Sequence, residues 1–464
     1  MLIRGSTVFG AEYTDVRWSG RRIIDCGAGL RPLPGEEVIE AGGGWLLPGL
    51  HDHHVHLRAL AATDDSVRLG PPDILGPDVL VARLRRADIE LPAEQSIRGV
   101  GYHESVAGQL DREVLDTIVN QRPVRVQHRS GALWMLNSRA CAEVGVDDCP
   151  LPGVERDAEG RATGRLWRMD SWLRERLRRR TLDSAGMSRR AASWGITGFT
   201  EATPDLTQRE VDDLAHEVAA GRIVQRVHCM APPWVAAPPV RRFTGGPTKI
   251  LLDDHTLPTF DTFVDRIRDA HAAGRAVAVH CVTRVQLALT MAAMDQAGRF
   301  TGDRIEHGAI IPAQAREWLR EREITVVTQP HFAVERAEQY TQEVPRADHA
   351  DLWRLGSLLA AGVDVAAGTD APFGSSDPWS VIRAATGQRV GADRRSRAES
   401  VDLPTAISLF CGHPDRPAQA RTVGRGELAD LTLLSVPPPD VAGTPSAELV
   451  AATIVDGECV YRAR

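Results

Sequence analysis

The sequence is almost without lysine: of 55 Lys plus Arg residues, only Lys249 is not arginine. A surface cation can be either residue, since both carry charge in water on a long flexible stem. One surviving lysine therefore points to a position that needs an amine. Cysteine is also sparse. Cys26, Cys141, Cys149, Cys229, Cys281, Cys411 and Cys459 are odd in number, scattered and free of CxxC spacing, which excludes a disulfide framework and a zinc ribbon. No apolar run approaches a membrane span, and Met1 to Ser6 lacks the h-region of a secretory signal, so a cytoplasmic protein is expected. A net charge of -7 and a pI near 6.1 argue against a nucleic-acid partner. The basic runs Arg176 to Arg180 and Arg394 to Arg397 lack interleaved aromatics and read as solvated faces.

What is present is an alternation. Short apolar runs read as buried strands at Trp45 to His56, Ile196 to Ala202, Val224 to Met230, Thr248 to Asp254, Ala276 to Cys281, Arg304 to Gly308, Ile324 to Pro330 and Val363 to Asp370. Between them, stretches such as Phe260 to Ala273, Arg284 to Ala297 and Pro312 to Arg322 repeat apolar residues at three and four, the helical spacing. Eight such units predict an α/β fold, a distorted (β/α)8 TIM-like barrel with its chemistry at the C-terminal strand ends. About 140 residues separate the first strand from the second. They hold strand-like pieces of their own at Ser96 to Tyr102 and Val124 to His128, so an insertion over about 60–192 is expected. Residues 1–50 and 395–464 are rich in β-formers and predict a small β-sandwich domain built from both termini, leaving 51–394 for the barrel.

Metal-type residues collect at the predicted strand ends. In Leu50-His51-Asp52-His53-His54-Val55-His56, alternation puts His54 and His56 on one face with Asp52, and His53 on the other. A single buried histidine is as readily a core residue as a ligand; two on one face at a barrel strand end favour metal ligation. His280, His307 and Asp370 close the fifth, sixth and eighth candidate strands. Lys249 precedes His280 by 31 residues and His280 precedes His307 by 27, each near the ~30 of one βα unit. That places Lys249 on the fourth strand. Arginine there would repel a dication permanently, because it does not deprotonate in proteins. A buried lysine can become a neutral nucleophile and capture carbon dioxide as a carbamate, an anion able to bridge two cations about 3.5–4 Å apart.

These residues carry a family likeness. "PGLHDHHVHL" resembles the Pro-Gly-x-x-Asp-x-His-x-His-Leu signature of the amidohydrolase superfamily, and the series Lys249, His280, His307, Asp370 is similar to its binuclear subtype. "PVRVQHRSGALWMLNSRA", "RIEHG", "VTQPHF" and "GTDAPF" resemble the YtcJ-like amidohydrolase 3 branch, which includes N-substituted formamide deformylases. The resemblance covers nearly the whole chain. It implies a metal-dependent hydrolase of a non-peptide C–N bond holding two divalent ions, zinc first among them. By it, His54 and His56 would bind the more buried ion, His280 and His307 the more exposed one, and carboxylated Lys249 would bridge the two. Asp370 would touch the buried ion and serve as general base and acid, while Asp52 would steady the adjacent turn or a ligand imidazole.

The chain departs from the branch where the insertion could shape a substrate pocket. Ser130-Gly131-Ala132-Leu133-Trp134-Met135 stands where relatives usually carry Asp-Gly-His-x-x-Trp, and arginine follows the Thr163-Gly164 turn in place of an acidic residue. Arg165 and Arg168 are candidates for a substrate carboxylate, though a solvated or salt-bridged face suits them better. Trp134, Trp167, Trp172, Trp234, Phe332 and Phe373 are candidates for an apolar wall or plain core, and His331 in "TQPHF" is the first choice for a substrate contact. The expected partner is a small-molecule substrate, with no nucleic acid and no membrane; a homodimer is a candidate assembly. A deaminase or decarboxylase on the same barrel stays as the alternative, followed by a non-catalytic scaffold.

Overall fold

The computed structural model describes residues 1–71, 73–177, 183–387 and 398–463. Arg178 to Arg180 and the run Arg394 to Arg397 lie outside the described residues, as does the expected domain boundary at 394/395. The chain falls into two compact units: Met1–Leu57 with Ser184–Arg464, and Arg58–Asp183. Among the described residues no helix is long and apolar enough to cross a membrane.

Two parallel sheets occupy the centre of the first unit. One orders Leu50–Val55, Ile196–Glu201, Arg226–Cys229 and Phe243–Gly245; the other orders Thr248–Ile250, Val277–Cys281, Arg304–His307, Thr325–Thr328 and Val365–Ala367. Every residue of the Leu50–Val55, Ile196–Glu201, Arg304–His307 and Thr325–Thr328 strands is buried, the mark of a parallel sheet covered on both faces. The Gly246 N–H donates to the Cys229 carbonyl at 2.7 Å and the Thr248 N–H to the Ala276 carbonyl at 2.7 Å, so one path of chain serves both sheets. At the other ends of the sheets, the Asp370 N–H donates to the His54 carbonyl at 2.8 Å and the His56 N–H to the Ala371 carbonyl at 2.9 Å.

Two strand expectations change. Trp45 to His56 is two strands, because Pro48 has no N–H to continue a ladder and the Gly49 N–H is taken by the Asp430 carbonyl at 2.8 Å. Trp45–Pro48 pairs with Leu431–Leu434 instead. A Cβ at Gly49 would also lie 2.2 Å from the Thr197 side chain, so the crossing admits only glycine. The fourth strand starts as expected at Thr248 but ends at Ile250 rather than Asp254, and a separate strand, Phe243–Gly245, precedes it in the other sheet.

The helices between strands follow their apolar spacing. Phe260–Ala272 starts where the Thr259 hydroxyl accepts from the Thr262 N–H, and buries Phe263, Val264, Ile267 and Ala270 on one face. Each large apolar side chain on such a face contributes roughly 1.5–3 kcal/mol, so Phe263→Ala is the single change most able to loosen it. Thr207 and Glu210 close a capping box on Gln208–Ala219, and Thr283 caps Arg284–Ala297.

The two chain ends build two further sheets. Arg22–Gly27, Asp15–Ser19, Leu2–Arg4 and Val38–Glu40 form one; Thr7–Val8, Trp45–Pro48, Leu431–Leu434, Val450–Val455 and Glu458–Arg462 form the other. Ile3, Val16, Trp18 and Ile23 of the first share a buried cluster with Leu46, Leu431, Leu433 and Ile454 of the second.

Arg58–Asp183 is built differently, around one mixed sheet ordered Val154–Arg156, Ala162–Trp167, Leu133–Leu136, Val124–His128, Ile97–Tyr102 and Val67–Arg68. Its last three strands run parallel and the others antiparallel.

Candidate metal centre

Strand geometry brings five of the expected residues to one place. His54 lies near the end of the first parallel strand and His56 just past it, both turned toward Asp370 in the segment after the last strand. Asp370 Oδ1 stands 3.5 Å from His54 Nε2 and 3.1 Å from His56 Nε2. His54, His56 and Asp370 each offer a ligand atom within 4.8 Å of the others. The His307 ring sits 4.8 Å from that of His54, and the His280 ring 4.6 Å from that of His307, centroid to centroid.

Each of three rings is held by its Nδ1 from outside. His54 Nδ1 contacts the Glu306 carboxylate, His56 Nδ1 lies 3.1 Å from the Thr203 hydroxyl, and His307 Nδ1 lies 2.8 Å from Gln329 Oε1. With the proton on Nδ1 donated outward, the His54 and His307 Nε2 atoms keep their lone pairs, the arrangement that metal-binding imidazoles show, while His56 Nε2 hydrogen-bonds Asp370 Oδ1 at 3.1 Å. His54 Nε2 is buried without a hydrogen-bond partner. Lys249 Nζ, on the Thr248–Ile250 strand and 4% exposed, is in the same state.

The electrostatics follow from burial. Desolvation drives the Lys249 amine below its usual range, and its residual charge is felt by His54, Glu306 and His307. Burial first, then Lys249, holds the His54 imidazole down to about 3, so it is neutral at ordinary pH. Burial alone would raise the Glu306 carboxyl; the Arg304 guanidinium first, with the His54 ring that Glu306 touches and Lys249, outweighs it and keeps Glu306 well below the carboxylate range. Asp370 behaves likewise under its hydrogen bond to His56 and the charges of His307 and His54. Asp52 goes the other way: burial pushes it up to about 7, although it accepts from the Thr369 N–H (2.9 Å), the Thr369 hydroxyl (2.5 Å) and the His54 N–H (3.2 Å). Its part is to pin the His54 backbone to the Thr369-Asp370 turn.

His307 and Asp370 both adopt positive φ, 70° and 52°. For such side chains this costs about 1–3 kcal/mol each and concentrates at functional sites.

The expected substrate contacts scatter. Phe373 lies edge-on to His56 at 5.1 Å, and His331, 2% exposed, packs its ring 4.6 Å from Phe332. Phe332 is itself core with Ala309 and Trp353, and Trp234 is 81% exposed. In the Arg58–Asp183 unit, Trp134 is buried in a core cluster and donates its indole N–H to Asp170 at 2.8 Å. Arg165 pairs with Glu155 at 3.1 Å and lies over the Trp167 ring, Trp172 stacks under Arg176, and Arg168 has a positive φ of 52°. Sequence reasoning passed over Glu306, Thr203 and Gln329. Their signal was polarity inside or just beyond an apolar strand run, in "RIEHG", "FTEAT" and "VTQP".

A model of the amidohydrolase family matches residues 37–461. N-substituted formamide deformylase of Arthrobacter pascens is 25% identical over 506 residues, covering 92% of this chain and 90% of that protein. Putative amidohydrolase YtcJ of Bacillus subtilis (strain 168) is 24% identical over 484 residues, covering 92% and 91%. In fold, the chain is similar to an uncharacterized metal-dependent hydrolase from Pyrococcus horikoshii OT3, with a TM-score of 0.75 at 16% identity over 95% of this chain and 98% of the other.

Proposed function

The chain belongs to the amidohydrolase family, and from that premise we propose that it is a metal-dependent hydrolase of a non-peptide C–N bond, working where His54, His56, Lys249, His280, His307 and Asp370 converge. An amide or N-substituted formamide is the substrate class this reading favours, in line with the formamide deformylase among its relatives. We read the two parallel sheets as halves of a distorted (β/α)8 barrel, the chain-end sheets as a β-sandwich from residues 1–50 and 395–464, and Arg58–Asp183 as the insertion.

The observation that carries the proposal is the convergence of His54, His56 and Asp370 with His54 Nε2 buried and unpartnered and the His54 and His307 rings tethered outward at Nδ1. It fits a dication. Bonds of about 2.0–2.1 Å in a tetrahedral array put neighbouring ligand atoms about 3.3 Å apart, and the 3.5 and 3.1 Å from Asp370 to His54 and His56 bracket that spacing. Lys249 fits a bridge better than an ion pair, since burial already disfavours its charge. Its neutral nitrogen would attack carbon dioxide, forming an N–C bond and losing a proton, to leave a carbamate anion.

Divalent cations held there would supply Lewis acidity and make a water acidic near neutral pH. Asp370 would orient that water, take its proton as it attacks the carbonyl carbon, and hand the proton to the leaving amine. Glu306 and Gln329 keep the His54 and His307 rings turned with Nε2 inward. Asp52 fixes the turn that carries Asp370. Phe373 forms an apolar wall beside His56, and His331 is our candidate for a substrate contact.

The test is elemental analysis of protein made without added metal, beside Lys249→Arg. Near two equivalents of zinc or a similar ion in the parent and far less in the variant is the expected outcome. Unchanged metal content together with unchanged hydrolysis of simple N-acyl amines in Lys249→Arg would end the carbamate reading.

A further inference from the structure

We propose that His103, Glu104 and His128 form a second site, contained in the Arg58–Asp183 unit, for a dication of the zinc class. Their ligand atoms all lie within 4.8 Å of one another. The two histidines come from matching places in the sheet: Ile97–Tyr102 and Val124–His128 are neighbouring parallel strands in which His128 pairs with Tyr102, so His103 and His128 both stand at carboxyl ends. Parallel sheets collect ligands at those ends.

The rings are held alike. His103 Nδ1 lies 2.8 Å from the Ser105 hydroxyl and His128 Nδ1 2.7 Å from the Ser130 hydroxyl, each serine two residues further on. Both ring nitrogens also accept the backbone N–H of that serine, at 3.2 and 3.1 Å. An Nδ1 that accepts an N–H holds no proton, so each ring carries its proton on Nε2; an ion at Nε2 has to displace it to Nδ1 and turn Nδ1 from the serine N–H to the serine hydroxyl. His128 Nε2 is already 3.0 Å from Glu104 Oε2, close to the about 3.3 Å spacing of neighbouring ligands around tetrahedral zinc. Only His103 has to close in, by about 1.5 Å at most from the outer separation.

The donor set selects the ion. Two imidazole nitrogens and one carboxylate suit zinc, cobalt or nickel, whereas magnesium and calcium prefer oxygen alone. A Glu104–His128 pair by itself would be a partly exposed ion pair worth little; His103, which also caps the Glu104–Ala107 turn through Nδ1, brings a third ligand atom beside it. His103 is 7% exposed while the Glu104 side chain is 38% exposed, so the ligands are seated but an ion can enter. A bound ion would tie two strand ends to the Glu104–Ala107 turn.

The test measures zinc bound by the full chain against a zinc-buffering chelator, for the parent, the His103→Ala/His128→Ala double variant and Glu104→Gln. The double variant should hold one equivalent fewer than the parent, and Glu104→Gln should weaken that equivalent at least tenfold, with magnesium failing to displace it. Glu104→Gln keeps the shape of the site and decides the matter if the double variant does not fold. Equal zinc content and affinity in all three proteins, or displacement by equimolar magnesium, would overturn the proposal. Because the difference is taken between variants, it stands or falls separately from the ions assigned to Lys249 and its neighbours.

Discussion

The two histidine clusters hold their rings at Nδ1 with different reach. At His54, His56 and His307, the oxygens that take Nδ1 come from Glu306, Thr203 and Gln329, which are 252, 147 and 22 residues away in sequence. At His103 and His128 the oxygens belong to serines two residues on. The first cluster exists only when the parallel sheets are assembled; the second is oriented by local turns and needs the sheet only to bring its two strand ends together. Burial separates them too, since His54, Glu306 and Lys249 are almost fully enclosed and Glu104 is not. Enclosure is what makes a lysine give up its proton and a carbonyl feel a nearby charge strongly. We therefore assign the proposed hydrolysis to the first cluster and the proposed fastening ion to the second.

The comparison can be broken from its strong side first. Asp370→Asn should lower the turnover of N-acyl amines about 10²–10⁴-fold, the usual effect of losing a positioned general base, while zinc content falls less than in Lys249→Arg. Equal turnover would remove Asp370 from the chemistry.

Next comes the tether. Glu306→Gln keeps the size of the side chain and gives up the charge that holds His54, and should weaken zinc at the first cluster about 10–100-fold. Ser130→Ala should weaken zinc at the second cluster by less, because the remaining tether is local. Measured by the same chelator competition, a Ser130→Ala effect as large as that of Glu306→Gln would erase the distinction between long-range and local orientation.

The smallest expected effect is on stability against pH. The hydrogen bond to His128, ahead of the opposing pull of burial, lowers Glu104 from 4.5 to about 2. A carboxyl depressed on folding stabilises the chain above its unfolded value and loses that contribution as pH falls toward the folded one. The window is therefore about pH 4.5 down to about 2. Unfolding midpoints of the parent should drop more steeply across it than those of His128→Ala; identical slopes would mean that the pair does not form in solution.

Much of this was readable in the linear chain. Strand and helix alternation showed because buried parallel strands are continuous apolar runs and their helices repeat at three and four: Arg304 to Gly308 and Phe260 to Ala273 fell within a residue or two of the elements found. The candidate ligands were legible because a polar side chain ending such a run has few other reasons to be there. The split at Gly49 was not, since it depends on Asp430 and Thr197 meeting the chain at that point.

The sequence by itself determined the candidate ligand types, their order along the strands, and the single amine among 54 arginines. Only the tertiary structure decided which nitrogen of each imidazole is left to bind and that Lys249 is stripped of water and partners. The physical reason is the same for both: a tautomer is set by whichever oxygen lies within about 3 Å, and an amine's charge by how much solvent is gone. At His54 and His56 that oxygen is in place only once residues 252 and 147 positions apart are packed together.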